Sequence, residues 1–95
     1  MTYNIEISED AYKAFKKLQK KNKKQLEIIN KKIKEIMENP DHYKPLRNDM
    51  KGIRRVHIDK SFVLTYKIDG NTIIILDFDH HDKIYLINLI LESFE

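Results

Sequence analysis

The second half of the chain contains three apolar stretches in succession, at residues 54–59, 61–68 and 72–78. The second is rich in β-branched and aromatic residues, which suit a half-buried strand. The third contains the apolar run 73–76, which suits a central strand buried on both faces. Asp69-Gly70-Asn71 precedes it and is a turn signal, because Gly and Asn adopt positive φ at little cost. The pattern predicts three consecutive antiparallel strands.

The N-terminal part begins with a short alternating segment, residues 3–7, which predicts a half-exposed strand. Ser8 is a candidate N-cap, and Glu9 and Asp10 follow where the helix dipole favours negative charge. Apolar residues then recur at helical spacing and predict a helix over about 9–20. Those residues are Ala11, Phe15 and Leu18.

A charged break at residues 20–24 separates this helix from a second one, for which Asn22 is a candidate cap. The second helix is expected to end near Asn39-Pro40, because proline disfavours helix at the residue before it. A polar loop over 41–51 leads to the strands, and the apolar segment 84–94 predicts a short C-terminal helix. The predicted apolar stripe of the second helix consists of Leu26, Ile29, Ile33 and Ile36.

The predicted order is β-α-α-β-β-β-α within a single domain, residues 1–95. Two amphipathic helices joined by a short connection form a helical hairpin that must cover an apolar surface. The sequence therefore predicts an α+β fold with this hairpin packed on one face of a mostly antiparallel four-stranded sheet. The apolar side chains of 84–94 either complete the core or form a partner-binding surface.

Composition narrows the functional classes. The chain has 18 Lys and Arg against 15 Asp and Glu, a net charge of +3, which favours an anionic partner. It has no cysteine, which excludes disulfides, thiol catalysis and Cys-based zinc sites. No signal peptide and no membrane-spanning run is evident, so a soluble cytoplasmic protein is expected. All three arginines fall between residues 41 and 60, and the guanidinium group matches phosphate oxygens.

Several short motifs resemble the RelE/ParE superfamily of toxins, most closely its YafQ-like branch. The resemblance covers nearly the whole chain and implies the RelE-like fold described above. The motifs that carry it are Pro45-Leu46, Gly52-x-Arg54, His57-Ile58-Asp59, Leu64-x-Tyr66 and His81-x-x-x-Tyr85.

This resemblance implies the toxin of a type II toxin–antitoxin system, a ribosome-dependent endoribonuclease that cuts the mRNA codon in the 30S A site. The implied reaction is attack of a ribose 2′-OH on the adjacent phosphate with departure of the 5′-oxygen. It needs a base, an acid and cationic charge, but no metal or other cofactor. The implied partners are a cognate antitoxin in a hetero-oligomer, the ribosome and mRNA, with no membrane.

The resemblance also implies roles for individual residues. His81 is expected to be the general acid, and His57 to position or deprotonate the 2′-OH, since histidine titrates near neutral pH. Lys44 stands where the branch carries a further histidine, and Arg54 is favoured over its neighbour as the catalytic phosphate contact. Each residue has an alternative structural role, as a solvated, hydrogen-bonded or salt-bridged side chain. The expected RNA contacts are Arg47, Lys51, Arg55, His80 and Tyr85.

The sequence departs from the superfamily at two further positions. Val63 occupies the place of an arginine used by the RelE branch, which favours a histidine-led mechanism. Ser61 replaces an aspartate of the YafQ branch, and Asp59 or Asp79 are the candidates to substitute for it. A metal site built on the His80-His81 pair is disfavoured, because adjacent strand residues point to opposite faces.

Two other functions remain open at the level of sequence. A ParE-like inhibitor of DNA gyrase would share the fold and act by protein–protein interaction without a histidine pair. A catalytically inactive member would bind only its antitoxin or RNA. The two histidines, His57 and His81, favour the nuclease.

Overall fold

The computed structural model describes residues 3–43, 52–80, 82 and 84. Most of the predicted C-terminal helix and most of the predicted loop lie outside these residues. The predicted order of the other elements is confirmed, with bounds that differ by one or two residues. The elements are β1 (Asn4–Ile7), α1 (Glu9–Lys21), α2 (Lys23–Glu38), β2 (Ile53–Ile58), β3 (Phe62–Asp69) and β4 (Thr72–His80).

The strands form one four-stranded sheet in the order β1-β4-β3-β2. The β2–β3 and β3–β4 pairs are antiparallel, whereas β1 runs parallel to β4. The strand with the longest apolar run, β4, is therefore central, as its sequence predicted. The α+β class and the mostly antiparallel sheet are confirmed.

Side-chain caps define the helical hairpin. The Ser8 hydroxyl accepts a hydrogen bond from the Ala11 N–H at 3.1 Å and caps α1. Asn22 ends α1 by donating its N–H to the Leu18 carbonyl and starts α2 by accepting from the Gln25 N–H. The predicted break at 20–24 was therefore too long, because one residue serves both helices. Such a cap stabilises a helix by about 1 kcal/mol.

The main core lies between the helical hairpin and one face of the sheet. Tyr66 is the largest fully buried side chain. The predicted stripe of α2 needs one correction: Gln25, not Leu26, is buried at the start of the helix, because its amide reaches the β2–β3 turn. The other core residues are Ala11, Ile29, Ile36, Val56, Ile58, Leu64, Ile73, Ile75 and Phe78.

Two tight turns fix the strand register. Asp59 adopts φ 56° between β2 and β3, and its carboxylate accepts a hydrogen bond from Gln25 Nε2 at 3.0 Å. Gly70 adopts φ +60° between β3 and β4, as the turn signal predicted. A register shift opposite Thr65 and Tyr66 marks a bulge in the β3–β4 pair.

Neither α1 nor α2 is long and apolar enough to cross a lipid bilayer.

Candidate functional site

The two faces of the sheet differ in what covers them. On β2, Val56 and Ile58 are buried in the core beneath the helices, whereas His57 between them is exposed. Because successive side chains of a strand point to opposite faces, His57 lies on the face opposite the hairpin, which we term the open face. Arg55, two residues earlier, lies on the same face.

Strand β3 supplies the neighbours of these two side chains. Val63 stands opposite His57, and Thr65 stands opposite Arg55. Val63 is fully buried and packs with Ile84 in a small cluster separate from the main core. Ile84, which follows β4 in the chain, therefore lies at the open face next to Val63.

Arg54 lies on the other face, beneath the hairpin. Its guanidinium donates to the Tyr43 carbonyl at 2.7 Å and contacts the Asp41 carboxylate at 3.5 Å. Residues three apart on a strand face opposite ways, so Arg54 and His57 do not share a face. The role of Arg54 as the phosphate contact stays a prediction, whereas Arg55 shares the face of His57. The two-residue spacing between Arg55 and His57 was the sequence signal for this pairing.

Tyr66 helps Arg54 to anchor the segment after α2. Its hydroxyl donates to the Pro40 carbonyl at 2.6 Å, a buried contact across 26 positions of the chain. Burial raises the pKa of Tyr66 to about 12, while the Arg54 guanidinium opposes the rise and the Asp41 carboxylate adds to it. The hydroxyl therefore stays protonated and remains a donor.

Tyr43 makes a second, more exposed anchor. Its hydroxyl donates to Glu35 Oε2 at 2.6 Å. Partial burial and this bond raise the pKa of Tyr43 to about 12, and the same bond lowers the pKa of Glu35. The sequence did not reveal this role of Tyr43, since only the eight-residue spacing links it to Glu35. The anchors together hold residues 40–43, which lead into the predicted basic loop.

His80 ends β4 on the hairpin side of the sheet, opposite Phe62. The two rings meet edge to face with centroids 5.6 Å apart. Nδ1 of His80 accepts the Asp82 N–H at 3.3 Å and lies 3.7 Å from the Asp82 carboxylate. His80 therefore lies on the face opposite His57. It does not add to the group formed by His57 and Arg55, and its role as an RNA contact stays a prediction.

A groove of about 440 Å³ runs between α1 and the outer part of β4. Within it, burial raises the pKa of Asp77, while a hydrogen bond from the Phe78 N–H opposes the rise and the nearby Asp79 and Asp10 carboxylates add to it. Asp79 likewise accepts from the N–H of the next residue, at 2.7 Å. These carboxylates satisfy backbone groups of β4. Asp59, the other candidate carboxylate, is held by Gln25 at the β2–β3 turn.

The remaining predicted site residues cannot be placed on either face. Their roles stay predictions, and they lie outside the residues that the structure describes: Lys44, Arg47, Lys51, His81 and Tyr85.

Comparison with known proteins places this geometry in context. The model of the ParE toxin family of type II toxin–antitoxin systems matches residues 5–85. A provisionally named toxin RelE4 of Methanocaldococcus jannaschii is 53% identical over 85 residues, which are 87% of this chain and 90% of that protein. An uncharacterised protein of Methanosarcina mazei is 52% identical over 85 residues, 87% of this chain and 99% of that protein.

Solved structures share the fold. The YoeB dimer from Staphylococcus aureus superposes with a TM-score of 0.76 at 27% identity, covering 85% of this chain and 99% of that one. YafQ in the DinJ–YafQ complex of E. coli gives a TM-score of 0.73 at 21% identity, covering 90% and 99%. The resemblance to the RelE/ParE superfamily is thereby confirmed.

Proposed function

This chain belongs to the ParE toxin family of type II toxin–antitoxin systems, and on that premise we propose that it is a ribosome-dependent endoribonuclease. It cuts mRNA in the ribosomal A site and so inhibits translation. The observation that carries the proposal is the exposed His57 on the open face, with Arg55 two residues away on the same face. A protein that acted only by covering a partner would not need this pair.

Cleavage next to a ribose 2′-OH requires a base and a cation, for which we propose His57 and Arg55 of the open face, and an acid. Neutral His57 takes the proton from the 2′-OH, and the resulting oxygen attacks the adjacent phosphorus. The bond from phosphorus to the 5′-oxygen breaks, and the leaving oxygen takes a proton from an acid, the role we assign to His81. The products are a 2′,3′-cyclic phosphate and a free 5′-hydroxyl. Arg55 neutralises the phosphate oxygens as negative charge builds up on them.

Arg54 has a different part in this proposal. Its guanidinium is committed to Tyr43 and Asp41, so it positions the segment entering the basic loop rather than contacting the phosphate. Three basic residues follow that segment in sequence. Lys44 remains our candidate to neutralise the phosphate at the catalytic centre, and Arg47 and Lys51 remain our candidates for contacts to the RNA backbone.

A cognate antitoxin completes the proposed system. The structural neighbours include the YoeB–YefM complex of Staphylococcus aureus and the DinJ–YafQ complex of E. coli, each a toxin with its antitoxin. An acidic antitoxin segment that folds over the open face would keep RNA away from His57. The ribosome and mRNA are the partners of the antitoxin-free protein.

The experiment is primer extension on a defined mRNA in a purified translation system. Wild type is expected to cut within the A-site codon, and His57→Ala to slow cutting by about 10²- to 10⁴-fold, the usual worth of a general acid or base. His42→Ala is the matched control, because His42 is an exposed histidine that lies after α2 and stacks edge-on with Tyr43. It should cut like wild type.

Two results would contradict the proposal. Cleavage that persists unchanged in a folded His57→Ala protein would remove His57 from the chemistry. If folded wild type makes no cut but stabilises gyrase–DNA cleavage complexes, the protein is a gyrase inhibitor and not a nuclease.

A further inference from the structure

The exposed large apolar side chains of the described residues all belong to the N-terminal region formed by β1 and the start of α1, which we call the N-terminal corner. They are Ile5 and Ile7 on β1 and Tyr12 on the first turns of α1, with exposed fractions of 38%, 44% and 58%. This corner lies at the sheet edge opposite β2, the strand that carries His57 and Arg55. Its apolar surface is therefore separate from the proposed nuclease site.

The outer edge of β1 presents backbone groups for pairing. The Asn4 N–H donates to the Asn71 carbonyl at 2.8 Å, and the Ser8 N–H donates to the Ile75 carbonyl at 2.9 Å. Even-numbered residues of β1 thus turn their backbone groups toward β4. Since these groups alternate sides along a strand, those of Ile5 and Ile7 point outward, where no other strand of the described residues lies.

The side chains of Ile5 and Ile7 lie on the hairpin side of the sheet. Their neighbours on β4 are Ile73 and Ile75, which are fully buried in the main core. The core thus continues outward to β1, but α1 packs against β4, and Ile5 and Ile7 remain 38% and 44% exposed. An added strand with apolar residues on this side would extend the core by one layer.

The chain around β1 is rich in acidic side chains, one of which, Glu9, is paired with Lys13 at 3.6 Å. Residues 1–12 contain Glu6, Glu9 and Asp10 and no lysine or arginine. The remaining residues therefore hold all 18 basic side chains and 12 of the 15 acidic ones. Glu6 is exposed on β1 between the two isoleucines, on the other side of the sheet.

We propose that Ile5, Glu6, Ile7 and Tyr12 form a docking surface for an extended segment of a partner protein, which adds to the sheet beside β1. The segment carries apolar residues at alternate positions, packed beside Ile5 and Ile7. It carries lysine or arginine between them, opposite Glu6. Pairing through the backbone gives affinity, and this alternation gives selectivity. We term these four residues the β1 surface.

A second copy of this chain fits the β1 surface poorly. Pairing β1 with β1 of another copy would bring two acidic corners together, and like charges directly opposite one another destabilise a strand pair. The same reason disfavours an acidic segment at this edge. The partner segment is therefore basic, unlike the acidic segment expected over the open face.

The test uses a capped nine-residue peptide of alternating valine and lysine, with alternating valine and glutamate as its control. Titration into isotopically labelled full-length protein should shift the amide resonances of Ile5 and Ile7 and slow their hydrogen exchange. The lysine peptide should bind at least about tenfold more tightly than the glutamate peptide, equivalent to 1.4 kcal/mol.

Two variants probe the two parts of the surface. Ile5→Pro removes an outward N–H, a change that edge strands tolerate, and should weaken the lysine peptide about tenfold or more while the fold is kept. Glu6→Lys should reverse the preference between the peptides. Glu38→Lys, the same charge change at the exposed end of α2, is the control and should leave the preference unchanged.

The proposal fails if the lysine peptide does not bind folded wild type at millimolar concentration, or if its shifts map to the open face around His57. Equal binding to Ile5→Pro and wild type would also overturn it. So would self-association of the protein through β1. None of these readouts depends on RNA cleavage, so the proposed nuclease function stands or falls separately.

Discussion

Arg54 and Arg55 are adjacent on β2 and chemically identical, yet the structure gives them different surroundings. The guanidinium of Arg54 is bonded to Tyr43 and Asp41 beneath the hairpin, with its side chain 25% exposed. Arg55 lies on the open face with His57. Strand alternation thus assigns a structural role to one residue and a proposed phosphate contact to the other.

A pair of substitutions separates these roles. We expect Arg55→Ala to slow ribosome-dependent cleavage by about 10²-fold, since it removes charge stabilisation from the transition state. Arg55 is half-buried, so the loss of cleavage has to exceed what any fall in the free energy of unfolding of Arg55→Ala explains. Cleavage rate and urea unfolding, measured on the same preparation, provide the comparison.

Arg54→Ala should affect the free energy of unfolding more than the cleavage rate. It leaves the Tyr43 carbonyl without its charged donor and should lower the free energy of unfolding by about 1.5–3 kcal/mol. Arg54→Lys keeps the charge but not the two-pronged geometry and should recover only part of that loss. A large loss of cleavage in Arg54→Ala with unchanged stability would restore Arg54 as the phosphate contact.

At the scale of elements, the sequence correctly predicted the features that depend on residues close together in the chain. The caps at Ser8 and Asn22 and the turn at Gly70 depend on side chains and φ angles within a few residues, and all three are confirmed. The burial of Gln25 was missed, because it depends on Asp59 at a distance of 34 positions. Periodicity alone had assigned that turn of α2 to Leu26.

The bulged strand β4 offers a prediction of its own at Asp77. The pKa of its carboxyl is raised above 3.8, chiefly by burial, so the folded state disfavours the ionised form. The stabilising contribution of this group is therefore complete below pH 3.8 and is lost as pH rises through the folded pKa. Asp77→Asn removes the charge and keeps an oxygen to accept the Phe78 N–H.

We expect Asp77→Asn to melt at a higher temperature than wild type at pH 7, with the difference closing as pH falls below the ordinary carboxyl pKa of 3.8. Thermal unfolding followed by circular dichroism between pH 3 and 7 measures this. Asp69→Asn, at an exposed position at the end of β3, is the control for the substitution itself. A melting temperature lower than that of wild type at pH 7 would show that the Asp77 charge is stabilising.

At the scale of the whole molecule, the sequence predicted the order of elements and the helical face of the sheet. It did not predict that β1 runs parallel beside β4, since that pairing joins residues about 68 positions apart. The same dependence on residues far apart in the chain limited what the sequence predicted about the candidate site. The exposure of His57 follows from alternation within β2, whereas the anchors of Arg54 and Tyr66 reach residues 11 and 26 positions away.

These long-range anchors tie the stability of the whole domain to two tyrosines. The pKa values of Tyr66 and Tyr43 both rise from 10.0 to about 12 on folding. Between pH 10 and 12 the unfolded chain releases both phenolic protons while the folded protein keeps them. Stability is therefore unaffected by these groups below pH 10 and falls as pH rises from 10 to 12.

Tyr66→Phe should flatten this alkaline loss of stability. It removes one titrating group, whose slope is at most about 1.4 kcal/mol per pH unit. At pH 7 the same variant should be less stable than wild type by about 1–3 kcal/mol, because the Pro40 carbonyl loses its donor in a buried place. The stability curves of variant and wild type should therefore converge as pH rises toward 12.

Urea unfolding at pH 7, 10 and 11.5 measures both effects, with Tyr12→Phe as the exposed control. Parallel curves for Tyr66→Phe and wild type would mean that the Tyr66 hydroxyl does not anchor Pro40, and that Arg54 and the Tyr43–Glu35 hydrogen bond hold the segment entering the basic loop.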